Sequence, residues 1–390
     1  MSILSEMKNS CLSLRLKTLT TGFMLFCLSS SVSAAELLTL SDIHFNPFEE
    51  CHIAQTPCPL IEKLENSPAQ DWPKILEQNS ASTFTGVHEE TNLPLLESTL
   101  NYAQSASHPD FIFLGGDYLG HDYAEKYALY SHHSSQADYE AFVNKTLMFL
   151  MNEVHSRFQN TPIIPAIGNN DSYSGDYVSD PDGLFFQQTG ALFFPLLNHQ
   201  DPSAFANTFD HNGTYSLTLS PSLRLIVINS VLFSSKGEVT SSQQKPLSAF
   251  AAEEIQWLSE ELSLAEKDGQ KVWILLHIPD VIDDYASKKA GKPVPLWDPV
   301  SDKNFLHLLN QHQATIQIIF SGHFHTDGEH QYGTILDTYL PGIDSTHGNL
   351  PGFKTYHFNE KTGQLTDIAL YEIKNGQFHQ TYLHALPEDN

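Results

Sequence analysis

Short apolar runs, each ending in a glycine or polar turn, recur along the chain and constrain its fold most strongly. They are LLTL at 37–40, DFIFLGG at 110–116, PIIPAIG at 162–168, LRLIVINS at 223–230, KVWILLH at 271–277 and TIQIIFSG at 315–322. Runs of this length predict buried β-strands. Helical periodicity lies between them, at about 93–106, 137–158, 248–269 and 302–313. This alternation predicts an α/β layer fold.

The pattern changes toward the C-terminus. From about Thr334 onward, strand patterns follow one another without helices between them, and we expect these strands to complete the same domain. Residues 61–92 and 172–212 lack clear periodicity and are rich in turn-forming residues. We therefore predict long loops there, at the functional end of the fold. Together these patterns predict one domain over residues 36–390.

Residues 1–34 have the features of a secretory signal peptide. Lys8, Arg15 and Lys17 form a basic n-region, Gly22 to Leu28 is apolar, and the small residues of SVSAA provide a cleavage site near Ala34. A membrane anchor is the alternative, but the apolar run is shorter than the ~20 residues that a membrane span needs. We expect a secreted or periplasmic protein without a stable membrane anchor.

Two cysteines follow this segment, Cys51 and Cys58. In an exported protein, a pair at this spacing predicts one local disulfide. The pair is weak evidence for a zinc site, because no second pair accompanies it.

The chain is strongly acidic, with a formal net charge of −26. Such a surface repels nucleic acid and anionic membranes, so we expect no nucleic acid duplex as a partner. An anionic substrate would need a local source of positive charge, and bound metal ions would supply it.

Residues of types that bind metals follow five of the predicted strands. They are Asp42 and His44, Asp117, Asn169 with Asn170 and Asp171, His277, and His323 with His325. Loops at the carboxyl ends of strands are where α/β folds bind ligands. Imidazole and carboxylate suit Zn, Fe or Mn. The D-x-H and H-x-H pairs would each place two ligands on one side of an extended chain. So many ligands exceed the needs of one ion and fit two ions that share a carboxylate.

Singly, each of these residues has an ordinary explanation, such as a surface histidine or a tight turn. Their joint order is more specific. The motifs D-x-H, G-G-D, G-N-x-D, a lone His after a strand and G-H-x-H resemble those of the calcineurin-like metallophosphoesterases. More narrowly, SDIHFNPFEEC, GGDYLGHD and FSGHFHTD resemble blocks of the acid sphingomyelinase-like phosphodiesterases.

The resemblance implies a fold and a reaction. The fold would be a four-layer sandwich, in which two mixed β-sheets pack face to face and helices flank them. The reaction would be hydrolysis of a phosphoester or phosphoanhydride by a hydroxide that forms on two divalent metal ions.

The resemblance also implies a set of ligands. One ion would be held by Asp42, His44, Asp117 and His325, and the other by Asp117, Asn169, His277 and His323, with Asp117 as the bridge. We favour Zn over Fe or Mn, because an exported hydrolase has no redox need for its metal ions.

Asn170 departs from the wider family, in which a His follows the metal-binding Asn and helps the leaving group depart. An amide can donate a hydrogen bond to a phosphate oxygen but cannot transfer a proton. His121, in GGDYLGHD, resembles the second active-site His of the sphingomyelinase-like group and becomes the predicted general acid. An exposed loop His is the alternative reading. Asp122 could orient His121, and Asp171 could hold the turn.

The resemblance allows several small phosphorylated substrates. We favour a soluble nucleotide-type substrate, because no amphipathic or basic membrane segment is visible in the sequence. Sphingomyelin phosphodiesterase and endopolyphosphatase activities are the alternatives, although the acidic charge disfavours a long polyanion. Tyr118, Tyr173 and Tyr177 could stack on a base or a headgroup.

Two further hypotheses stay in view. A purple acid phosphatase needs a metal-binding Tyr three residues after Asp117, where Gly120 stands. A secreted binding protein with structural metal ions is the hypothesis from outside the enzymes.

Overall fold

Strands are interleaved with helices along the described chain up to Ser321. The computed structural model describes residues 34–79, 89–133, 135–198, 201–240 and 243–385, so the signal peptide predicted over 1–34 lies outside the described residues except for Ala34. The strands are β1 (Ala35–Leu40), β2 (Phe111–Leu114), β3 (Ile163–Pro165), β4 (Val178–Ser179), β5 (Tyr215–Ser220), β6 (Leu223–Val227), β7 (Glu238–Val239), β8 (Lys271–Leu276), β9 (Ile316–Ser321), β10 (Gly328–Tyr332), β11 (Ile335–Tyr339), β12 (Gly352–Phe358), β13 (Leu365–Lys374) and β14 (Gln377–Ala385). The helices are α1 (Pro59–Glu65), α2 (Trp72–Asn79), α3 (Leu93–Ala106), α4 (Tyr123–Tyr130), α5 (Gln136–Arg157), α6 (Leu184–Phe193), α7 (Pro202–Asn212), α8 (Leu247–Asp268), α9 (Asp284–Ala290) and α10 (Pro299–Gln311).

Twelve of the described strands form two mixed sheets of six strands each, and β4 and β7 pair with each other in a separate two-stranded sheet. The first has the order β14-β13-β12-β1-β2-β3, in which β1, β2 and β3 are parallel. The second has the order β10-β11-β9-β8-β6-β5, in which β6, β8, β9 and β11 are parallel. The C-terminal strands therefore divide, because β10 and β11 extend the second sheet and β12 to β14 extend the first.

Aromatic side chains fill the space between the two sheets. Phe113 of β2 packs edge-on against Phe320 of β9, with ring centroids 5.3 Å apart. Trp273 of β8 packs against Phe358 of β12, with centroids 4.7 Å apart. All four side chains are buried. Burial of such large rings is a major source of stability, and it fixes the distance between the sheets.

Helices cover the outer faces of both sheets. On the first sheet, Tyr102 of α3 stacks on Phe378 of β14, with centroids 4.9 Å apart. On the second sheet, α8 buries Leu258 and Leu262, and Phe305 of α10 contacts Tyr332 of β10. The arrangement is helix, sheet, sheet, helix, so the predicted fold class is confirmed.

The described residues from Ala34 onward group into one compact unit. Within the described part of this unit, no helix has both the length and the apolar character needed to cross a bilayer. The boundary of the domain at residue 36 stays a prediction.

The segments 61–92 and 172–212, predicted as long loops, contain helices instead. Most of α1 and all of α2 lie in the first segment, and α6 and α7 lie in the second. The prediction failed because these helices have only 7 to 11 residues, which is too short for their periodicity to stand out. In addition, Pro59 and Pro202 occupy the first helical turn, where proline favours a helix rather than ending it.

A disulfide joins Cys51 and Cys58, as predicted, with their Cα atoms 5.6 Å apart. The bridge lies between the loop that follows β1 and the start of α1. The backbone N–H of Cys58 also donates to the carbonyl of Tyr130 at 2.8 Å. The disulfide thus ties the segment after β1 to helices that pack in the core.

We predict that the double variant Cys51→Ser/Cys58→Ser unfolds with a free energy about 2 kcal/mol below that of wild type, because the bridge no longer restricts the unfolded chain. Urea denaturation followed by tryptophan fluorescence measures this difference. As a control, a reducing agent should destabilise the mature wild-type protein by the same amount and leave the variant unchanged. Equal stability of oxidised and reduced wild type would contradict the prediction.

Candidate metal centre

Five loops meet at the C-terminal edges of the two sheets. The loops after β1, β2 and β3 come from the first sheet, and those after β8 and β9 come from the second. Because parallel strands end at the same edge of a sheet, these loops face one another across the sandwich. They carry the seven candidate ligands Asp42, His44, Asp117, Asn169, His277, His323 and His325. All are buried except His323, which is half-buried.

Asp42, His44 and His325 form the first cluster, which offers three ligand atoms within 4.8 Å of one another. The Nε2 atom of His325 lies 3.4 Å from Oδ1 of Asp42, and its ring stacks on that of His44. The carboxylate of Asp42 accepts hydrogen bonds from the hydroxyl of Ser41 at 2.5 Å and from the backbone N–H of His323 at 3.0 Å. These bonds fix the orientation of Asp42.

Asp117, His277 and His323 form the second cluster. The side-chain oxygen of Asn169 adds to it, because it lies 3.1 Å from Nε2 of His277 and 2.9 Å from Nδ1 of His323. The Nδ2 atom of Asn169 donates to Asp176 at 2.7 Å. This bond turns the amide so that Asn169 presents its oxygen to both imidazoles.

Asp117 lies between the two clusters. Its Oδ2 atom is 3.3 Å from Nε2 of His44 and 3.2 Å from Nε2 of His277. Asn170 holds this carboxylate through its backbone N–H, at 2.8 Å from Oδ1, and its side-chain amide, at 3.0 Å from Oδ2. One carboxylate oxygen therefore reaches a ligand of each cluster, as a bridge between two ions requires.

The negative charge of Asp117 favours positive charge on the two imidazoles beside it, those of His44 and His277. Burial opposes charge on His44, but the adjacent carboxylate of Asp117 raises its pKa to about 10. Burial also opposes charge on His277, whose pKa Asp117 raises to about 9. Although burial alone would raise the pKa of Asp117, His277 and His44 hold it well below its ordinary range. Protons or metal ions can supply this positive charge.

Five candidate ligands have a left-handed backbone. The φ angles are 47° at Asp42, 42° at His44, 55° at Asp117, 73° at His323 and 59° at His325. Such a conformation costs a residue other than glycine about 1–2 kcal/mol and persists where the surroundings impose it, often at ligand sites. The expectation of an extended chain in the D-x-H and H-x-H motifs is therefore wrong. Each strand ends before its ligands, and the two histidines of H-x-H enter different clusters.

The donor set fits divalent metal ions. Within the described ranges, the buried Nε2 atom of His44 has no hydrogen-bond partner, although it lies 3.3 Å from Asp117. The Nδ1 atoms of His44 and His277 contact the backbone carbonyls of Leu119 and Gly115, at 3.0 and 2.7 Å. A proton on Nδ1 would leave Nε2 with a lone pair for a metal ion. Imidazole, carboxylate and amide donors in this number suit two such ions.

His121 lies beside the first cluster. Its ring stacks on that of His44 with centroids 4.1 Å apart, and 31% of its side chain is exposed. Its backbone N–H and its Nδ1 atom both contact Oε1 of Glu90, at 2.6 and 3.0 Å. The other Glu90 oxygen accepts a bond from Lys126 at 2.5 Å. The carboxylate that orients His121 is therefore Glu90, whereas Asp122, expected in that role, is exposed at the start of α4.

The three tyrosines have different surroundings. Tyr118 is buried and donates its hydroxyl to the carbonyl of Ala166 at 2.8 Å, so the expectation that it could stack on a ligand is wrong. The hydroxyl of Tyr177 lies 3.3 Å from Nε2 of His323. Tyr173 is half-buried and donates to Asn144 at 2.6 Å.

Sequence reasoning missed two carboxylates at this centre. Glu90 follows a stretch without periodicity, and nothing in the sequence marked it. Asp344 contacts His325, with 2.9 Å between its Oδ2 atom and the ring Nδ1. It follows β11, whose C-terminal end lies at the same edge as that of β9. The search for polar residues after parallel strands would therefore have found Asp344.

Asp171 holds together the loops after β2 and β3. Its carboxylate accepts hydrogen bonds from the backbone N–H groups of Asp117, Tyr118 and Gly168, each at 2.8 Å. Gly168 makes this close approach possible. A Cβ atom on Gly168 would lie 2.2 Å from both the backbone nitrogen and Oδ1 of Asp117.

Comparison with known proteins identifies one family and several relatives. The calcineurin-like phosphoesterase family model matches residues 36–327, which is more than half of the chain. Sphingomyelinase phosphodiesterase D of Dictyostelium discoideum is 25% identical over 300 residues, covering 72% of this chain and 60% of that protein. Acid sphingomyelinase-like phosphodiesterase 3b of Mus musculus is 24% identical over 375 residues, covering 90% and 74%. Cyclic GMP-AMP phosphodiesterase SMPDL3A of Rattus norvegicus is 22% identical over 234 residues, covering 56% and 49%.

The match therefore spans less than two thirds of the length of some of these relatives. Among solved structures, a dimetal phosphatase from Danio rerio has a TM-score of 0.51 and 12% identity, covering 86% of this chain and 95% of that chain. At this level of identity, the likeness concerns the fold.

We predict that Gly168→Ala weakens metal binding by about 10- to 100-fold, because the added methyl group would displace Asp117. Bound zinc per chain, measured by mass spectrometry after dialysis against graded chelator, tests this. Gly291→Ala is the control, since its φ of 67° strains the alanine backbone while the added Cβ atom meets no atom within 4 Å and so displaces no candidate ligand. The prediction fails if both variants bind zinc equally well.

Proposed function

Because this chain belongs to the calcineurin-like phosphoesterase family, we propose that it is an exported phosphodiesterase that hydrolyses a small phosphoester or phosphoanhydride with two divalent metal ions. Family membership makes it a hydrolase of phosphoric esters. The observation that carries the proposal is the position of Asp117, which contacts His44 of one cluster and His277 of the other.

Two bound ions would supply a water of lowered pKa as the nucleophile and positive charge for the phosphate oxygens. The chain would hold the ions with the seven candidate ligands, divided as Asp42, His44 and His325 on one side and Asn169, His277 and His323 on the other, with Asp117 shared. We favour Zn over Fe or Mn for these donors. The net charge of −26 makes such local positive charge necessary for an anionic substrate.

His121 is the group to which we assign protonation of the leaving group. Its partial exposure lets a substrate reach it, and its stacking on His44 places it beside the first cluster. Glu90 contacts Nδ1, so Nε2 is the ring atom available for proton transfer. Asn170 cannot take this role, because an amide does not titrate and its side chain already bonds Asp117.

A cleft of about 730 Å³ bears on the choice among substrates, although its described lining contains none of the seven candidate ligands and not His121. Phe324, which stands between His323 and His325 in the chain, lines it together with Tyr332 and Asp327. Its described lining includes several carboxylates and neither lysine nor arginine. Aromatic faces suit a nucleobase, whereas carboxylates disfavour a polyphosphate chain. We therefore favour a nucleotide-type substrate, in line with the name of the relative SMPDL3A, a cyclic GMP-AMP phosphodiesterase.

Sphingomyelin phosphodiesterase activity is the second candidate. The same cleft favours it, because carboxylates and aromatic rings also suit a quaternary ammonium headgroup. Two relatives carry the name sphingomyelin phosphodiesterase. Endopolyphosphatase activity fits this cleft less well, and a secreted binding protein with structural metal ions is the alternative outside the enzymes.

Export to an oxidising compartment is part of the proposal. The disulfide between Cys51 and Cys58 supports it, since such bonds persist in the periplasm and outside the cell. The signal-like features of residues 1–34 agree with this location.

We predict that chelation abolishes hydrolysis and that added Zn²⁺ restores it, because the bound ions would supply the activated water and the positive charge for the phosphate oxygens. The assay compares nucleotides, a cyclic dinucleotide, sphingomyelin in detergent, polyphosphate and a chromogenic diester. We expect the highest kcat/KM on a nucleotide-type substrate. A preference for sphingomyelin would establish the second candidate, and full activity of metal-free protein would contradict the role of the ions. Hydrolysis of none of these substrates by zinc-loaded protein would favour the binding-protein hypothesis.

We predict that His121→Ala lowers kcat about 10²- to 10⁴-fold with poor leaving groups and less with good ones, since only a poor leaving group needs a proton. Steady-state kinetics on a series of aryl and alkyl diesters measures this. Zinc content should equal that of wild type, and His132→Ala, which changes a half-exposed surface His, should behave as wild type. Wild-type turnover of His121→Ala on the whole series would rule out the assignment.

A further inference from the structure

Each candidate ligand histidine has one ring nitrogen that faces its cluster and one that faces away from it. The groups that contact the nitrogens facing away differ in charge. Those nitrogens of His44 and His277 contact backbone carbonyls, and that of His323 contacts a tyrosine hydroxyl. The Nδ1 atom of His325 instead lies 2.9 Å from the carboxylate oxygen Oδ2 of Asp344. A carboxylate behind a ligand imidazole makes that imidazole a stronger donor than a neutral oxygen does.

The fold determines where Asp344 stands. The residue is fully buried, its backbone N–H donates to the carbonyl of Asp42 at 3.1 Å, and its Oδ1 atom accepts the N–H of Thr346 at 2.5 Å. The Oδ2 atom of Asp344 and the Nδ1 atom of His325 each lack any other hydrogen-bond partner within the described ranges. Among the described residues, each of these two atoms is therefore placed to satisfy the other.

The two clusters consequently face different amounts of negative charge. Asp42 is a member of the first cluster, Asp344 contacts its His325, and Asp117 is shared. The second cluster adds the neutral amide of Asn169 and two imidazoles to the shared carboxylate. The carboxylate of Asp176 stands behind this cluster, but it bonds the amide of Asn169 rather than a histidine. Coulombic attraction of a divalent cation is stronger where more carboxylates surround it and water is excluded.

We propose that Asp344 is a positioning residue that makes the cluster of Asp42, His44 and His325 the tighter of the two metal sites. The inference rests on the proposed function only in requiring that both clusters bind metal ions. As metal is withdrawn, the ion at the second cluster leaves first. The chain then passes through a state with one ion per molecule.

The test is a chelator titration of the zinc-loaded mature protein, with bound zinc per chain counted by mass spectrometry. Wild type should lose one zinc ion first. The second ion should leave only at a free chelator concentration about 10- to 100-fold higher. Asp344→Asn keeps the shape but has one oxygen for two donors, so Thr346 and His325 compete for it. The variant should lose its more tightly bound zinc ion at a free chelator concentration about 10- to 100-fold lower than wild type does.

Two further variants make the result specific. Asp337→Asn is the matched control, because Asp337 is also buried, accepts a hydrogen bond from Ser321 at 2.5 Å and contacts no candidate ligand among the described residues. This variant should lose its two zinc ions at the same chelator concentrations as wild type. Asn169→Ala removes a donor of the second cluster, so it should retain one ion at the affinity of the tighter step. This variant tests the order of metal loss even if Asp344→Asn does not fold, which thermal melting of the metal-free proteins would reveal.

Simultaneous loss of both ions from wild type would overturn the inference. So would loss of the more tightly bound ion at the same chelator concentration in folded Asp344→Asn and in Asp337→Asn. An Asn169→Ala protein that retains no ion would also overturn it. A wild-type protein that binds no zinc, iron or manganese would instead contradict the proposed function, so the two failures are distinguishable.

Discussion

The contact of one Asp117 oxygen with His44 and with His277 is the interaction on which the centre depends. His44 follows a strand of the first sheet, and His277 follows a strand of the second. The aromatic core between the sheets therefore sets the distance that Asp117 has to span. Asn170 and Asp171 then fix the carboxylate and the backbone of Asp117 from the neighbouring loop. Packing in the core therefore determines the geometry of the metal centre.

The centre also reconciles an acidic protein with an anionic substrate. Left-handed backbone at five candidate ligands costs about 1–2 kcal/mol each, and the surrounding fold supplies that energy. In return, imidazoles and carboxylates converge on points where positive charge is strongly favoured. Metal ions at these points would present a small region of positive potential on a surface of net charge −26. His121 stands at the edge of that region, where a leaving group could reach it.

The sequence predicted the strands and the convergence of the seven candidate ligands, because a polar residue after a buried parallel strand has a definite place in an α/β fold. That these residues bind metal ions stays a prediction. The sequence did not predict the contact between Glu90 and His121, since these residues are 31 positions apart and no periodic pattern connects them. Adjacency in sequence favours Asp122 for this contact, but Asp122 is exposed at the start of α4. The short helices α1, α2, α6 and α7 escaped detection because a helix of two or three turns is stabilised by tertiary packing rather than by its own pattern.

Anomalous diffraction from crystals of the zinc-loaded mature protein tests the central claim most directly. The account predicts two peaks about 3.5–4 Å apart. One should lie next to His325 and the other next to His323, with the carboxylate of Asp117 between them. A single peak, or two peaks that do not share Asp117, would contradict a centre built on this bridge.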